Sequence, residues 1–241
     1  MARSYYISDA LNTVSRQVPR IGQDGHSEII VNTAISYMWR RYDWPITMKP
    51  LAPFWLVPLV QDYFQVVPAD YYALRRANLV QLTDEKPFIW PPMGITKHLG
   101  DQILEGLPRS ICFNPANRTF RLFPRPSASM AAPEWLIIGE YKYQPATLTA
   151  NDLSDTLIPW DDMYFDVFCT GLRWAFFTLM GDPRAGQKQM SRHGYPQYTG
   201  EFAAFEDALE RMAEDEGLNL GTPVVHPSEP LVREFGWNSI G

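Results

Sequence analysis

Apolar residues recur at helical spacing in four stretches of this chain. The first, from about Ser8 to Val18, puts Ile7, Leu11, Val14 and Val18 on one face, with Ser8 placed as an N-cap. The second runs from about Ser27 to Tyr42, where Ile30, Ala34, Tyr37, Met38 and Arg41 keep the period. Trp44-Pro45 ends it, because a residue before proline avoids the helical region. The third follows Pro159 and opens on Asp161 and Asp162, favourable at the positive end of a helix dipole. Phe165, Phe168, Leu172, Phe176 and Leu179 then recur at intervals of three or four, and Trp174 and Phe177 widen the apolar face. Such breadth predicts a helix central to its neighbours, stopped by Gly181-Asp182-Pro183. The fourth, about Glu201 to Glu216, turns Phe202, Phe205, Leu209 and Met212 inward.

Between the second and third helices the pattern changes. Val60–Val67, Leu74–Leu82, Ile111–Phe113, Thr119–Phe123 and Trp135–Tyr143 are rich in β-branched and aromatic residues and read as strands. Asn114-Pro115-Ala116-Asn117 reads as a hairpin loop between two of them. The expected fold class is α+β: a bundle of about four helices, two N-terminal and two C-terminal, with a β-rich insertion and an extended C-terminal arm, since neither helical pair can bury its apolar face alone. The expected boundaries are 1–45 and 159–216 for the helices, 46–158 for the insertion and 217–241 for the arm.

The arm is distinct. Prolines 223, 227 and 230 and glycines 221, 236 and 241 preclude a regular helix, yet Val224, Val225, Leu231, Val232, Phe235 and Trp237 are too apolar for a solvated tail. Burying six such side chains falls short of the entropy of fixing the whole segment. It must add backbone pairing, order only in part, or dock on a partner, and these six residues are the candidate interaction site.

Composition narrows the picture. Apolar residues make up 46% of the 241, which excludes global disorder, and the 21 prolines favour short strands and loops. Residues 1–120 carry 12 basic and 10 acidic side chains, a balance of +2, whereas residues 121–241 carry 9 and 17, a balance of −8. So acidic a second half gives no general case for gripping a phosphate backbone and suits a conduit that repels DNA. Cys112 and Cys169 lie far apart with no CxxC spacing, which reads as two buried thiols in a reducing compartment. No apolar run reaches membrane-spanning length and the first residues lack a signal-peptide core, so a soluble species made in the cytoplasm is expected.

Reactive constellations are missing. His26, His98, His193 and His226 form no HExxH and no pair at ligand spacing, and there is no GxSxG elbow; neither metal nor cofactor is expected. Gly181 to Lys188 approaches a P-loop, but Gln187 displaces the lysine, no Ser or Thr follows it, and the segment trails a helix instead of a strand. Asp161/Asp162 is explained by the helix dipole; Glu214/Asp215/Glu216 opposes it, at about a few tenths of a kcal/mol each, and reads as a solvated surface or an acidic knob facing something basic. Tyr71-Tyr72 and Trp90-Pro91-Pro92 could stack on sugars or bases, although core and subunit packing explains most aromatics. Arg40-Arg41 suits its helix dipole, and Arg75-Arg76 reads as a salt-bridge element at an interface.

An ordered set of weak marks from about Glu28 to Gly217 resembles the head-to-tail adaptor (connector) family of tailed bacteriophages. The second helix carries Asn32 and Ala34 and closes with Arg40-Arg41-Tyr42-Asp43-Trp44-Pro45, similar to that family's acidic-Trp-Pro turn. Val67-Pro68-Ala69-Asp70 resembles its Pro-x-Asp step into a strand, and Phe120-Arg121-Leu122-Phe123-Pro124-Arg125-Pro126 its strand ending in Pro-x-Pro. Trp135–Tyr143, followed by Pro145, Leu148, Thr149 and Ile158-Pro159, resembles the strand leading into its third helix. The resemblance implies a non-enzymatic virion protein, made in the host cytoplasm and placed at the portal vertex. Its expected partners are the portal protein, a downstream tail protein (nozzle, stopper or tail tube) and itself, in a ring on the order of twelve subunits whose heterologous interfaces close by rotation. Genomic DNA would pass through without sequence-specific binding, and a C-terminal arm would reach the portal; no membrane is implied.

Two other readings compete. The β-rich part could be a carbohydrate- or peptide-binding module presenting Trp90 and Tyr72. A glycosidase would need two facing carboxylates, and nothing in the chain identifies the pair.

Overall fold

In the computed structural model, residues 4–22, 25–83, 86–97, 104–190 and 196–218 are described. They divide into two units: Thr47–Gln144 forms one, and the chain up to Ile46 together with the chain from Pro145 onward forms the other.

The unit Thr47–Gln144 holds strands β1 (Met48–Trp55), β2 (Asp62–Tyr63), β3 (Tyr71–Gln81), β4 (Phe88–Pro92), β5 (Gly94–Thr96), β6 (Glu105–Gly106), β7 (Ser110–Asn114), β8 (Thr119–Phe123), β9 (Arg125–Pro126) and β10 (Trp135–Tyr143). One antiparallel sheet has the order β1-β10-β3-β4, a second has the order β2-β8-β7-β5 with β5 parallel to β7, and β6 pairs with β9. The long β3–β10 ladder runs from Trp135 opposite Gln81 to Tyr143 opposite Tyr71. It tolerates only glycine at 139, where a Cβ would stand 2.3 Å from the Arg76 carbonyl oxygen. Leu51, Phe54, Leu79, Ile137 and Tyr141 from the first sheet share one core with Tyr63, Ile111, Phe120 and Leu122 from the second. Phe54 stacks on Phe120, and Tyr71 meets Phe120 edge-on.

Thr119–Phe123 and Trp135–Tyr143 are strands residue for residue as expected. Two further strands were hidden by their prolines. Pro50 and Pro53 lie in β1, and Pro91 and Pro92 in β4, the two outer strands of the first sheet. Proline cannot complete a ladder on both sides, so an edge is where it fits. The expected strand Val60–Val67 shrinks to Asp62–Tyr63, because Leu59 and Gln65 on either side both take φ of +62° and break the extended run.

The other unit holds α1 (Ile7–Gln17), α2 (Ser27–Arg41), α3 (Phe165–Leu179), α4 (Gly200–Asp215) and the strand pair β11 (Lys188–Met190) and β12 (Pro196–Tyr198). The described residues are thus mixed α+β, with four helices and several sheets. As its broad apolar face predicts, α3 contacts α1, α2 and α4. Its buried side chains are Phe168, Cys169, Leu172, Ala175, Phe176 and Phe177, while Leu179, expected inward, is exposed at the helix end. Gly171 lets α4 approach: a Cβ there would lie 2.8 Å from the Phe205 ring. At α1 the N-cap is Tyr6, not Ser8; the Asp9 carboxylate accepts from the Tyr6 backbone N–H at 2.8 Å.

Candidate interaction surfaces

The polar residues singled out by sequence mostly hold elements in place. The Asp162 carboxylate accepts hydrogen bonds from the Ser4 backbone N–H (2.9 Å) and hydroxyl (2.5 Å), which fasten the N-terminal segment and keep its pKa below the ordinary carboxylate value. That segment continues as a strap, with the Ile7 N–H donating to Thr156 O and the Ile158 N–H to Tyr5 O, both at 3.0 Å. The near-P-loop is a helix end. Gly181 takes φ of +63°, and Asp182 caps the turn Pro183–Ala185. Its carboxyl is held down to about 2 by the Arg184 guanidinium. Glu216, of the acidic cluster, takes up the Tyr164 phenol, whose pKa burial and that carboxylate push up to about 12. Cys112 and Cys169 are buried and unbridged, and burial raises the Cys169 thiol to about 12.

The marks behind the family resemblance turn out to be physically linked. Asn32 on α2 clasps the chain at Leu148: its amide NH2 donates to Leu148 O at 2.8 Å and its amide oxygen accepts from Leu148 N at 2.9 Å. Trp44 is buried and donates its indole N–H to the Met38 carbonyl at 2.6 Å, folding the Asp-Trp-Pro turn under its own helix. Asp70 accepts from the Lys49 ammonium at 2.6 Å and the Tyr141 hydroxyl at 2.8 Å, and the Lys49 contact leads in keeping its carboxyl below the ordinary range.

Sequence reasoning did not find the buried ion pair that joins α2 to α4. Glu206 on α4 is 1% exposed and ion-paired with Arg41 on α2 at 2.8 and 2.9 Å, with the Tyr37 hydroxyl as a further donor. Burial and the neighbouring carboxylate raise the Tyr37 phenol well above its usual value. Tyr37 also packs between the rings of Trp174, Phe202 and Phe205. The only sequence signal was the i, i+4 spacing of Tyr37 and Arg41 on one face. Arg41 is thus explained without any nucleic-acid partner. Arg76 donates to Asn78 at 3.0 Å.

Trp90 lies between Phe88 and Trp135 with ring centroids at 5.1 and 6.3 Å, a packing role more than a free stacking platform. Among the described residues, no group of three or more His, Cys, Asp or Glu could hold a metal, and no helix is long and apolar enough to cross a membrane. The six arm residues Val224, Val225, Leu231, Val232, Phe235 and Trp237 lie outside the described residues.

Instead, the surface carries large apolar side chains. From the β unit, Trp55, Val57, Leu59 and Phe64 are all exposed within ten residues. Their loop is pinned at several points. Tyr63 O–H accepts from Val57 N at 3.0 Å, Leu59 N donates to Pro126 O at 2.9 Å, and Arg121 grips Asp62 with two bonds of 2.8 and 3.0 Å. From the helical unit, Tyr5, Tyr6, Leu157 and Met163 are exposed along the N-terminal strap. Beside them is a cleft of about 590 Å³ lined by Ser4, Tyr5, Asp9, Asn12, Thr13, Arg16 and Phe165. Contiguous exposed apolar patches mark protein contact surfaces.

Polar groups spent on fastening elements, with apolar groups left outward, are what a structural assembly protein requires. A family model described as SU10 adaptor protein matches residues 7–227, and the chain belongs to that family of phage head–tail adaptors. No curated protein matches the chain. Membership makes it a phage adaptor and virion component that interacts with other head–tail proteins, in a structural family that is typically non-enzymatic.

Proposed function

We propose that this adaptor forms a homo-oligomeric ring beneath the portal, lengthens the DNA channel and presents a platform for the next tail protein. The observation that carries this is the family match over 7–227, joined to apolar surface that one copy leaves uncovered. On this reading residues 1–45 and 159–216 act as a helical bundle and 46–158 as its β-rich insertion. The arm 217–241 reaches the portal through Val224, Val225, Leu231, Val232, Phe235 and Trp237. A ring on the order of twelve copies fits the cyclic symmetry such assemblies adopt. The acidic second half supports passage of DNA without grip.

Deleting 217–241 tests the arm. The truncated chain should keep its circular dichroism spectrum and its melting temperature, yet fail to attach to portal-bearing, DNA-filled heads. Normal attachment of the truncated chain overturns the arm assignment, and absence of the full chain from the portal vertex of virions, seen by electron microscopy of a tagged copy, overturns the ring.

A further inference from the structure

We propose that the loop from Trp55 to Phe64 of one copy docks on the strap surface of Tyr5, Tyr6, Leu157 and Met163 of the next copy, and that this heterologous pair is a ring contact. The inference rests on the ring reading above and adds the two surfaces that meet. Three observations favour a second copy as occupant.

The first is charge. By sequence, residues 47–144 carry 10 basic and 8 acidic side chains, a balance of +2, whereas residues 1–46 and 145–226 carry 10 and 17, a balance of −7. The local rims agree. Arg118, Arg121 and Arg125 lie on or beside β8 and β9, next to β2, and keep that side net basic after their partners Asp62 and Glu105. Asp9, Asp155, Asp161, Asp162 and Asp166 surround the strap, with Arg16 as the basic residue of the cleft. Opposite rims steer two copies together head to tail, while like rims oppose the face-to-face alternative.

The second is backbone strain. Leu59 and Gln65 hold φ of +62°, a conformation that side chains of their size rarely take, and the Leu59 N–H is fixed on the Pro126 carbonyl at 2.9 Å. Such a frame presents Val57, Leu59 and Phe64 in a fixed array that loses little entropy on docking. The third concerns the sheet edges. Pro50, Pro53, Pro91 and Pro92 blunt both outer strands of the first sheet, so copies do not join by adding strands to that sheet, and contact through side chains is favoured there.

Phe64 and Met163 are each 63% exposed, so cysteine at either position leaves the core untouched, and the native thiols are buried. Virions assembled with the full chain carrying both Phe64→Cys and Met163→Cys are treated with a short bis-maleimide. A ladder of multimers of this chain is expected, with none from either single substitution, because a head-to-tail contact never brings a residue onto its own copy. Dimers from Phe64→Cys alone, or cross-links running to the portal protein, overturn the pairing. Virions that contain the chain at the vertex but give no ladder also overturn it, and leave the ring standing. Virions that lack the chain remove both. Independently, Phe64→Asp should lower incorporation into virions at least tenfold with an unchanged melting temperature; normal incorporation overturns the proposal.

Discussion

The helical and β units hold their ion pairs in opposite ways, although each buries one charged side chain, Glu206 in the one and Lys142 in the other. In the helical unit a carboxylate, Glu206, is taken out of water and matched by Arg41 and Tyr37. In the β unit the pairs Lys49–Asp70 and Arg121–Asp62 sit at the periphery and stay partly solvated. A desolvated ion is secured only while every partner is present, whereas a peripheral pair is worth little because water replaces either member. The α2–α4 contact is therefore brittle toward single substitutions, and the β unit depends on its shared aromatic core.

The sharpest break in that comparison is Arg41→Met. It strands the Glu206 carboxylate and should cost about 3–5 kcal/mol, read as a fall in the urea midpoint of the helical dichroism signal. The combined replacement Arg41→Met, Glu206→Leu and Tyr37→Phe should recover most of that loss, because apolar side chains in place of the whole matched set leave no buried group unpaired. A single substitution costing under about 1 kcal/mol, the range of exposed pairs, would mean Glu206 is solvated in solution.

The two units also differ in how far the chain announces them. Three of the helices lie within about one residue of the expected spans, and the third, expected to open on Asp161 and Asp162, starts only at Phe165 after a short 3-10 turn. The period of apolar residues and the punctuation by Pro45 and Gly181 are local signals. Strand existence was legible where β-branched and aromatic residues ran unbroken, as in Thr119–Phe123. It was illegible where prolines sat on an edge, because edge and centre are tertiary facts that composition does not carry. The same limit hid Glu206: it reads as one more acid on an acidic helix until α2 is laid against α4. Of the apolar loop from Trp55 to Phe64 only the part from Val60 was read, as the start of a strand Val60–Val67, because only the turned backbone at Leu59 and Gln65 reveals that its side chains face outward. The family marks, by contrast, were legible as order along the chain before their purpose was. Asn32 and Leu148 are 116 residues apart and make one clasp.

That clasp gives the intermediate effect. Asn32→Ala removes the donor and the acceptor that satisfy the Leu148 backbone and should cost about 1–3 kcal/mol, the penalty for leaving such groups unpaired. Hydrogen exchange at Leu148 should quicken in the same variant. Asn32→Asp keeps the acceptor for the Leu148 N–H but sets a carboxylate against the Leu148 carbonyl, so the loss should persist at neutral pH and shrink in acid as the carboxyl protonates. Equal stability of Asn32→Asp at both pH values would show that the amide is not read as a two-sided partner.

The smallest effect belongs to Asp70, and its sign is fixed by which form the fold prefers. Lys49 and the Tyr141 hydroxyl favour the carboxylate, so the folded-state pKa lies below the unfolded one. A depressed acid contributes stability above its unfolded pKa of about 3.9 and loses it as the pH falls through the lower folded value. Asp70→Asn should therefore lower the urea midpoint slightly at neutral pH, by under about 1 kcal/mol because Asp70 and Lys49 are both partly solvated, and converge with the parent chain in strong acid. A gap between the two chains that widened with acidity would mean that the neutral acid is the form held in the fold, and the peripheral pair would then behave like the buried one.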